Sequence, residues 1–282
     1  MGAGLMIAEN LNLKVFSQEI LSFVIVGVIS IFVAARFQAL SAEVAPQVTA
    51  VSWWQFLLAF GIGTAVILGL IRIMHGGWFL RLFFIFALFS GMLITFNLFL
   101  SDIAAVIFSA FLVAAYVIWP YVWLHDAVMI LTLPGIAVLI GLSLQPWFAV
   151  LILIIMSVYD YIAVYKTKHM IKMAKAMIAG RAIFAMIFPE EFRNFKSKIN
   201  EAHPGQGFMM LGTGDFVFPL IMAASAMTVS YKSAWIVLGF SIFGLLLMHL
   251  LFISQRVRRP MPALPPLAGF AILGFITSLL LK

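Results

Sequence analysis

Nine stretches of this chain are each long and apolar enough to cross a lipid bilayer, and nothing else in the sequence restricts its fold so strongly. A spanning helix needs about 20 mainly apolar residues to cover roughly 30 Å of hydrocarbon. The stretches run approximately from Ile20 to Ala35, Trp53 to Ile73, Leu82 to Leu100, Ile103 to Val122, Ala127 to Leu144, Trp147 to Tyr165, Phe208 to Val229, Ala234 to Ile253 and Pro262 to Leu281. Apolar residues make up 65% of the 282 and charged residues only 10%, whereas a soluble domain carries about 25% charged residues. The expectation is an all-α membrane protein with nine transmembrane helices. Spans three to six are joined only by Ser101-Asp102, Leu124-His125-Asp126 and Gln145-Pro146, turns tight enough to predict antiparallel neighbours.

The formal charge of +7 is gathered in a few connections, which makes it a topology signal and not a nucleic-acid footprint. No nucleic-acid partner is expected. Fourteen of the 17 Lys and Arg residues fall on the side that holds Lys14, Arg72, Arg81, the 166–207 loop and Arg256, Arg258 and Arg259. By the positive-inside rule the N-terminus and that loop face the cytoplasm and the C-terminus lies outside, in a multi-pass protein of the cell membrane. Met1 to Glu19 carries Glu9, Lys14 and Glu19 and has no basic segment leading into a short apolar run, so no cleavable signal peptide is expected. The chain has no cysteine, which removes disulfides, thiol catalysis, zinc-thiolate sites and iron-sulfur clusters together.

These features divide the chain into a six-helix part, 1–165, a cytoplasmic loop, 166–207, and a three-helix part, 208–282. Within the loop, Met170 to Ile178, continuing through Ala185 to Phe188, carries Lys172 and Lys175 among apolar residues. This predicts an amphipathic helix on the membrane surface, with a solvated basic linker as the plainer alternative. Pro204, Gly205 and Gly207 break the chain before span seven.

A carboxylate deep in a bilayer costs several kcal/mol, so an intramembrane aspartate suggests function by default. Asp160 lies six residues before Lys166, roughly 9 Å below the membrane surface at helical rise. Asp215 lies eight residues after Gly207, roughly 12 Å deep from the same side. Two carboxylates brought together share one proton. The ionised partner then takes a proton from an attacking water while the protonated one donates to a scissile carbonyl. Such hydrolysis needs no metal and no cofactor, and none is expected. Gly212 and Gly214, flanking Thr213, permit close backbone approach and local loosening at that depth. Pro260 to Pro266 brings further irregularity from the same side, and its prolines predict a rigid, extended segment facing a cavity.

Tyr159-Asp160, Gly212-Thr213-Gly214-Asp215 and Pro262-Ala263-Leu264-Pro265 resemble the YD, GxGD and PALP signatures of the presenilin and signal peptide peptidase family of intramembrane aspartyl proteases. Each motif alone is weak, but their order in spans six, seven and nine is specific. The resemblance implies Asp160 and Asp215 as the catalytic pair. It also implies Tyr159, Gly212, Thr213, Gly214 and the Pro262 to Pro265 segment as active-site support and substrate contact. The cytoplasmic N-terminus, short termini and compact loops look most like a microbial, especially archaeal, presenilin homologue. Expected partners are single-span transmembrane substrates and the lipid bilayer, with a homo-oligomer open.

Such a substrate must unwind before water reaches its peptide bond, and an exposed strand edge could pair with the freed backbone. Gln206 to Leu211 and the neighbourhood of Leu264 are the candidates for that edge. The plain reading of Asp160 and Asp215 is helix packing or the proton relay of a secondary transporter; no convincing inverted repeat supports the latter. Asp102 and Asp126, at inter-span turns, read as interfacial caps. His249, Asn97 and Arg72 read as interhelical hydrogen-bond partners or snorkelling groups, and Trp53, Trp54, Trp78, Trp119, Trp123 and Trp147 as an interfacial belt.

Overall fold

The computed structural model describes residues 2–44, 54, 55, 58, 61, 62, 77–166, 182–255 and 261–281, with backbone alone for 2–12, 41–44 and 77. Span two, the Met170 to Ile178 segment, Arg72 and Arg256 to Pro260 lie largely or wholly outside the described residues. Eight long α-helices are seen: α1 (Gly2–Val44), α2 (Gly77–Asn97), α3 (Asp102–Ile118), α4 (Val122–Ser143), α5 (Pro146–Tyr165), α6 (Thr213–Met227), α7 (Tyr231–Ile253) and α8 (Leu264–Leu280). Two strands, β1 (Ala185–Pro189) and β2 (Phe208–Gly212), stand between α5 and α6. Among the described residues five helices, all but α3, α6 and α8, are long and apolar enough to cross a membrane.

The bundle is organised around α4 and α6. α4 packs on α1, α2 and α6, and α6 in turn packs on α7, α8, α5 and α1. Few polar groups are available to bind these helices, so close backbone approach does much of the work. A Cβ at Gly141 of α4 would sit 2.7 Å from the Ile221 carbonyl oxygen of α6, and Gly135 lies directly on the Gly91 carbonyl of α2. Alanine at either position would force the helices apart. Ser225 of α6 also donates to the Leu144 carbonyl at 2.6 Å, closing the end of α4.

Three expectations need correction. The tight turn at Gln145-Pro146 does not make α5 a packing neighbour of α4. Instead α5 lies chiefly on α8 and α6, because the faces of α4 are already taken by α1, α2 and α6. Ala185 to Phe188 is not helical but forms β1, paired antiparallel with β2 in the register Ala185↔Gly212 to Pro189↔Phe208. Met186, Ile187 and Phe188 are all fully buried, whereas a surface helix would leave one face wet. The extended segment at the Pro-rich stretch ends at Ala263, since Leu264, Pro265 and Pro266 already belong to the first turn of α8. Proline is tolerated there because amides of a first turn have no intrahelical partner to lose.

Candidate active site

The β1–β2 hairpin delivers Asp215. Beyond β2, Gly212 is the N-cap of α6. Thr213 ties that start to β1: its amide donates to the Phe184 carbonyl at 3.1 Å and its hydroxyl to the same oxygen at 3.4 Å. Asp215, the third helical residue, accepts the Gly212 amide, as an acidic residue does in the reciprocal half of a capping box. Its position also sets a carboxylate against the positive end of the helix. The side of Gly212 where a Cβ would stand is 3.2 Å from Asp215 Oδ2, so the first glycine of the motif leaves room for the carboxylate. Asp215 itself is 7% exposed.

Asp160 arrives on α5 and caps a different helix. Its Oδ2 accepts the Leu264 amide at 3.1 Å, and the Ala263 amide donates to it as well. A helix begins with four amides that have no intrahelical partner. In α8 those positions are Ala263, Leu264, Pro265 and Pro266; the prolines have no N–H to offer, and Asp160 takes both that remain. The Pro262 to Pro265 segment thus reduces a helix N-terminus to the donors that one carboxylate can satisfy. Asp160 also lies within electrostatic reach of Asp215, and the helices that carry or receive the two acids, α5, α6 and α8, pack on one another. Tyr159 does not join them: it is exposed on α5.

The outer edge of β1 is occupied by side chains, a feature the sequence reading missed. Bonded flanks at Thr213 to Phe184 and Glu190 to Gly207 fix the ladder so that Ala185, Ile187 and Pro189 face away from β2. His125 Nε2 donates to the Ala185 carbonyl at 2.8 Å, the Ile187 amide donates to Asp126 Oδ1 at 3.0 Å, and Gln18 Nε2 donates to the Pro189 carbonyl at 3.1 Å. Asp126 is therefore no interfacial cap but a buried residue of α4 that holds a strand. The available signal was two adjacent ionisable residues where an apolar helix begins. Asp102 does sit in the first turn of α3. His249 has an interhelical partner, Glu19 of α1, at 3.1 Å, in a pair buried on both sides.

Residues 20–282 match the family described as signal-peptide peptidase, presenilin aspartyl protease. The fold is similar to two solved structures of a presenilin family intramembrane aspartate protease. One, from a C222 crystal form, is 25% identical with a TM-score of 0.62; the other, from a P2 form, is 26% identical with a TM-score of 0.66. In both cases the match covers 93% of this chain and 96% of the other. No curated protein sequence matches. The chain is thus an integral membrane protein and an aspartic-type hydrolase, and it belongs to the signal-peptide peptidase and presenilin family of aspartyl proteases.

Proposed function

We propose that Asp160 and Asp215 are the catalytic pair of an endopeptidase that hydrolyses peptide bonds within transmembrane segments. One observation supports this reading: two carboxylates from separate helices lie within electrostatic reach of one another, and one of them caps the Pro-rich start of α8. Holding one proton between them, the ionised carboxylate accepts a proton from water as the oxygen attacks the scissile carbon. The protonated carboxylate donates to the carbonyl oxygen, and the amine leaves with a proton as the tetrahedral intermediate collapses. Cleavage therefore falls at both ends of the pH range, where the pair holds two protons or none.

The substrate, once unwound, pairs with β2. Of its outward residues, Phe208 accepts from the Gly205 amide and Gly212 donates to Asp215. Met210 faces outward between them with no backbone partner among the described residues. A substrate strand laid there runs toward Asp215, and the occupied edge of β1 offers no competing position. The Gly212 to Gly214 turn and the Pro262 to Pro265 segment flank this track. Tyr159 acts from the outer face of α5 toward an arriving helix. Around this site we propose nine spans in all, the divisions at 165 and 207, and a cytoplasmic N-terminus and loop.

The test incubates a single-span peptide in detergent or liposomes with wild type and with Asp215→Ala, and reads new termini by mass spectrometry. Loss of cleavage in the variant, with a cooperative unfolding transition retained, is expected. Persistent cleavage by the variant would overturn the assignment and restore the transporter reading of the aspartates.

A further inference from the structure

Two hollows meet where the start of α2 approaches the end of α3. One is a cavity of about 390 Å³ whose lining includes Arg81, Tyr116, Trp119, Tyr121 and Lys198. The other is a groove of about 500 Å³ between α2 and α3, lined entirely by apolar side chains such as Leu82, Phe86, Phe89 and Ala114. Val117 and Ile118 line both, so a charged chamber adjoins an apolar groove. Neither includes a residue of α5, α6 or α8.

The chamber is built into the fold. Tyr121 and Lys198 form an antiparallel bridge, the Val122 amide donates to the Ser197 carbonyl at 3.0 Å, and the Ile199 amide donates to the Pro120 carbonyl at 2.9 Å. These bonds fix the backbone that carries Lys198 against the α3–α4 turn, opposite Arg81 at the start of α2. Neither cation has an ion-pair partner among the described residues. Trp119 and Trp78, both more than half exposed, stand at the same end of the bundle, where amphipathic rings mark the level of lipid headgroups.

An apolar groove alone would accept any acyl chain. A groove that adjoins a chamber with two cations discriminates by charge, since a phosphodiester accepts charge-assisted hydrogen bonds from guanidinium and ammonium groups. We propose that these adjoining hollows bind one anionic phospholipid, its phosphate between Arg81 and Lys198 and one acyl chain along the α2/α3 groove. The bound lipid then braces the chain between β1 and β2, since residues 197–199 belong to that connection. The site is independent of the aspartates and stands whether or not they are catalytic.

The test titrates the full chain in detergent with phosphatidylglycerol or phosphatidylcholine of matched acyl chains and reads bound lipid by native mass spectrometry. Wild type should retain one phosphatidylglycerol in preference to phosphatidylcholine. With each near-surface cation contributing comparably, Lys198→Gln should weaken that binding about fivefold and the double variant with Arg81→Gln about twenty-five-fold. Ala114→Trp, which fills the groove, should weaken lipid retention while leaving inorganic phosphate binding unchanged. Lys198 is exposed, so its variant keeps the fold and its result stands alone. Equal retention of the two lipids, or unchanged affinity in Lys198→Gln, overturns the proposal. So does full displacement by millimolar inorganic phosphate with Ala114→Trp inert, which would indicate a free-anion site.

Discussion

The N-termini of α6 and α8 both end on a carboxylate, but they obtain it in different ways. α6 supplies its own, from Asp215 three residues along the same chain. α8 borrows Asp160 from α5, 104 positions away. The first arrangement is local and forms with the helix. The second is tertiary and exists only while α5 and α8 are docked. One acid is thus fixed by its own backbone, while the other is held by a contact that helix motion can make or break. On the proposed function, a site that admits a whole helix and closes on it would use one fixed and one movable group.

The largest expected effect treats the two termini as one unit. Asp160→Asn and Asp215→Asn should each lower cleavage by about 10⁴-fold or more, with the double variant little worse than either single one. A double variant that multiplied the losses would show two independent sites. Stability should then separate the termini. Asp160→Ala removes the acceptor for two α8 amides and should cost about 1 kcal/mol, comparable to losing an N-cap; Asp160→Asn keeps an acceptor and should restore most of it. If thermal unfolding does not distinguish Ala from Asn, the capping role of Asp160 is wrong.

Asp126→Ala probes the hairpin that delivers Asp215 and not the acids themselves. It strands the buried Ile187 amide and should cost about 1–3 kcal/mol, measured as a fall in melting temperature with wild-type cleavage per folded molecule. Met210→Pro removes an outward amide and should reduce cleavage about tenfold with little change in unfolding; equal losses in both would count against pairing at β2. The smallest effect belongs to Gly212→Ala. Its Cβ would stand 3.2 Å from Asp215 Oδ2, so a shift of a few tenths of an ångström should cost cleavage severalfold. A neutral result would mean that the local terminus tolerates displacement as readily as the borrowed one.

The aspartates were legible because a carboxylate in an apolar helix stands out against its neighbours, and equal depth from one side suggested their meeting. Glycine before Asp215 also marked where regular helix gives way. What stayed hidden has a common physical cause. Met186, Ile187 and Phe188 are apolar without alternation, and a short buried strand of that kind cannot be told from helix by periodicity. The roles of His125 and Asp126 depend on where β1 lies, about sixty residues on, and nothing near them in sequence encodes it. Likewise, the short turn before α5 fixed where the chain reverses but not which faces of α4 were still free. The prolines of α8 misled in an instructive way: they predicted a break, although the same missing amides suit the first turn of a helix.

That economy of donors makes the start of α8 a natural gauge. Only the amides of Ala263 and Leu264 can exchange hydrogen for deuterium in that turn, and both are shielded by Asp160. An inhibitor or substrate that draws the acid away would unshield these two protons while the flanking imide nitrogens remain silent. A pair of exchange rates would thus register occupancy of the site before any bond is cut.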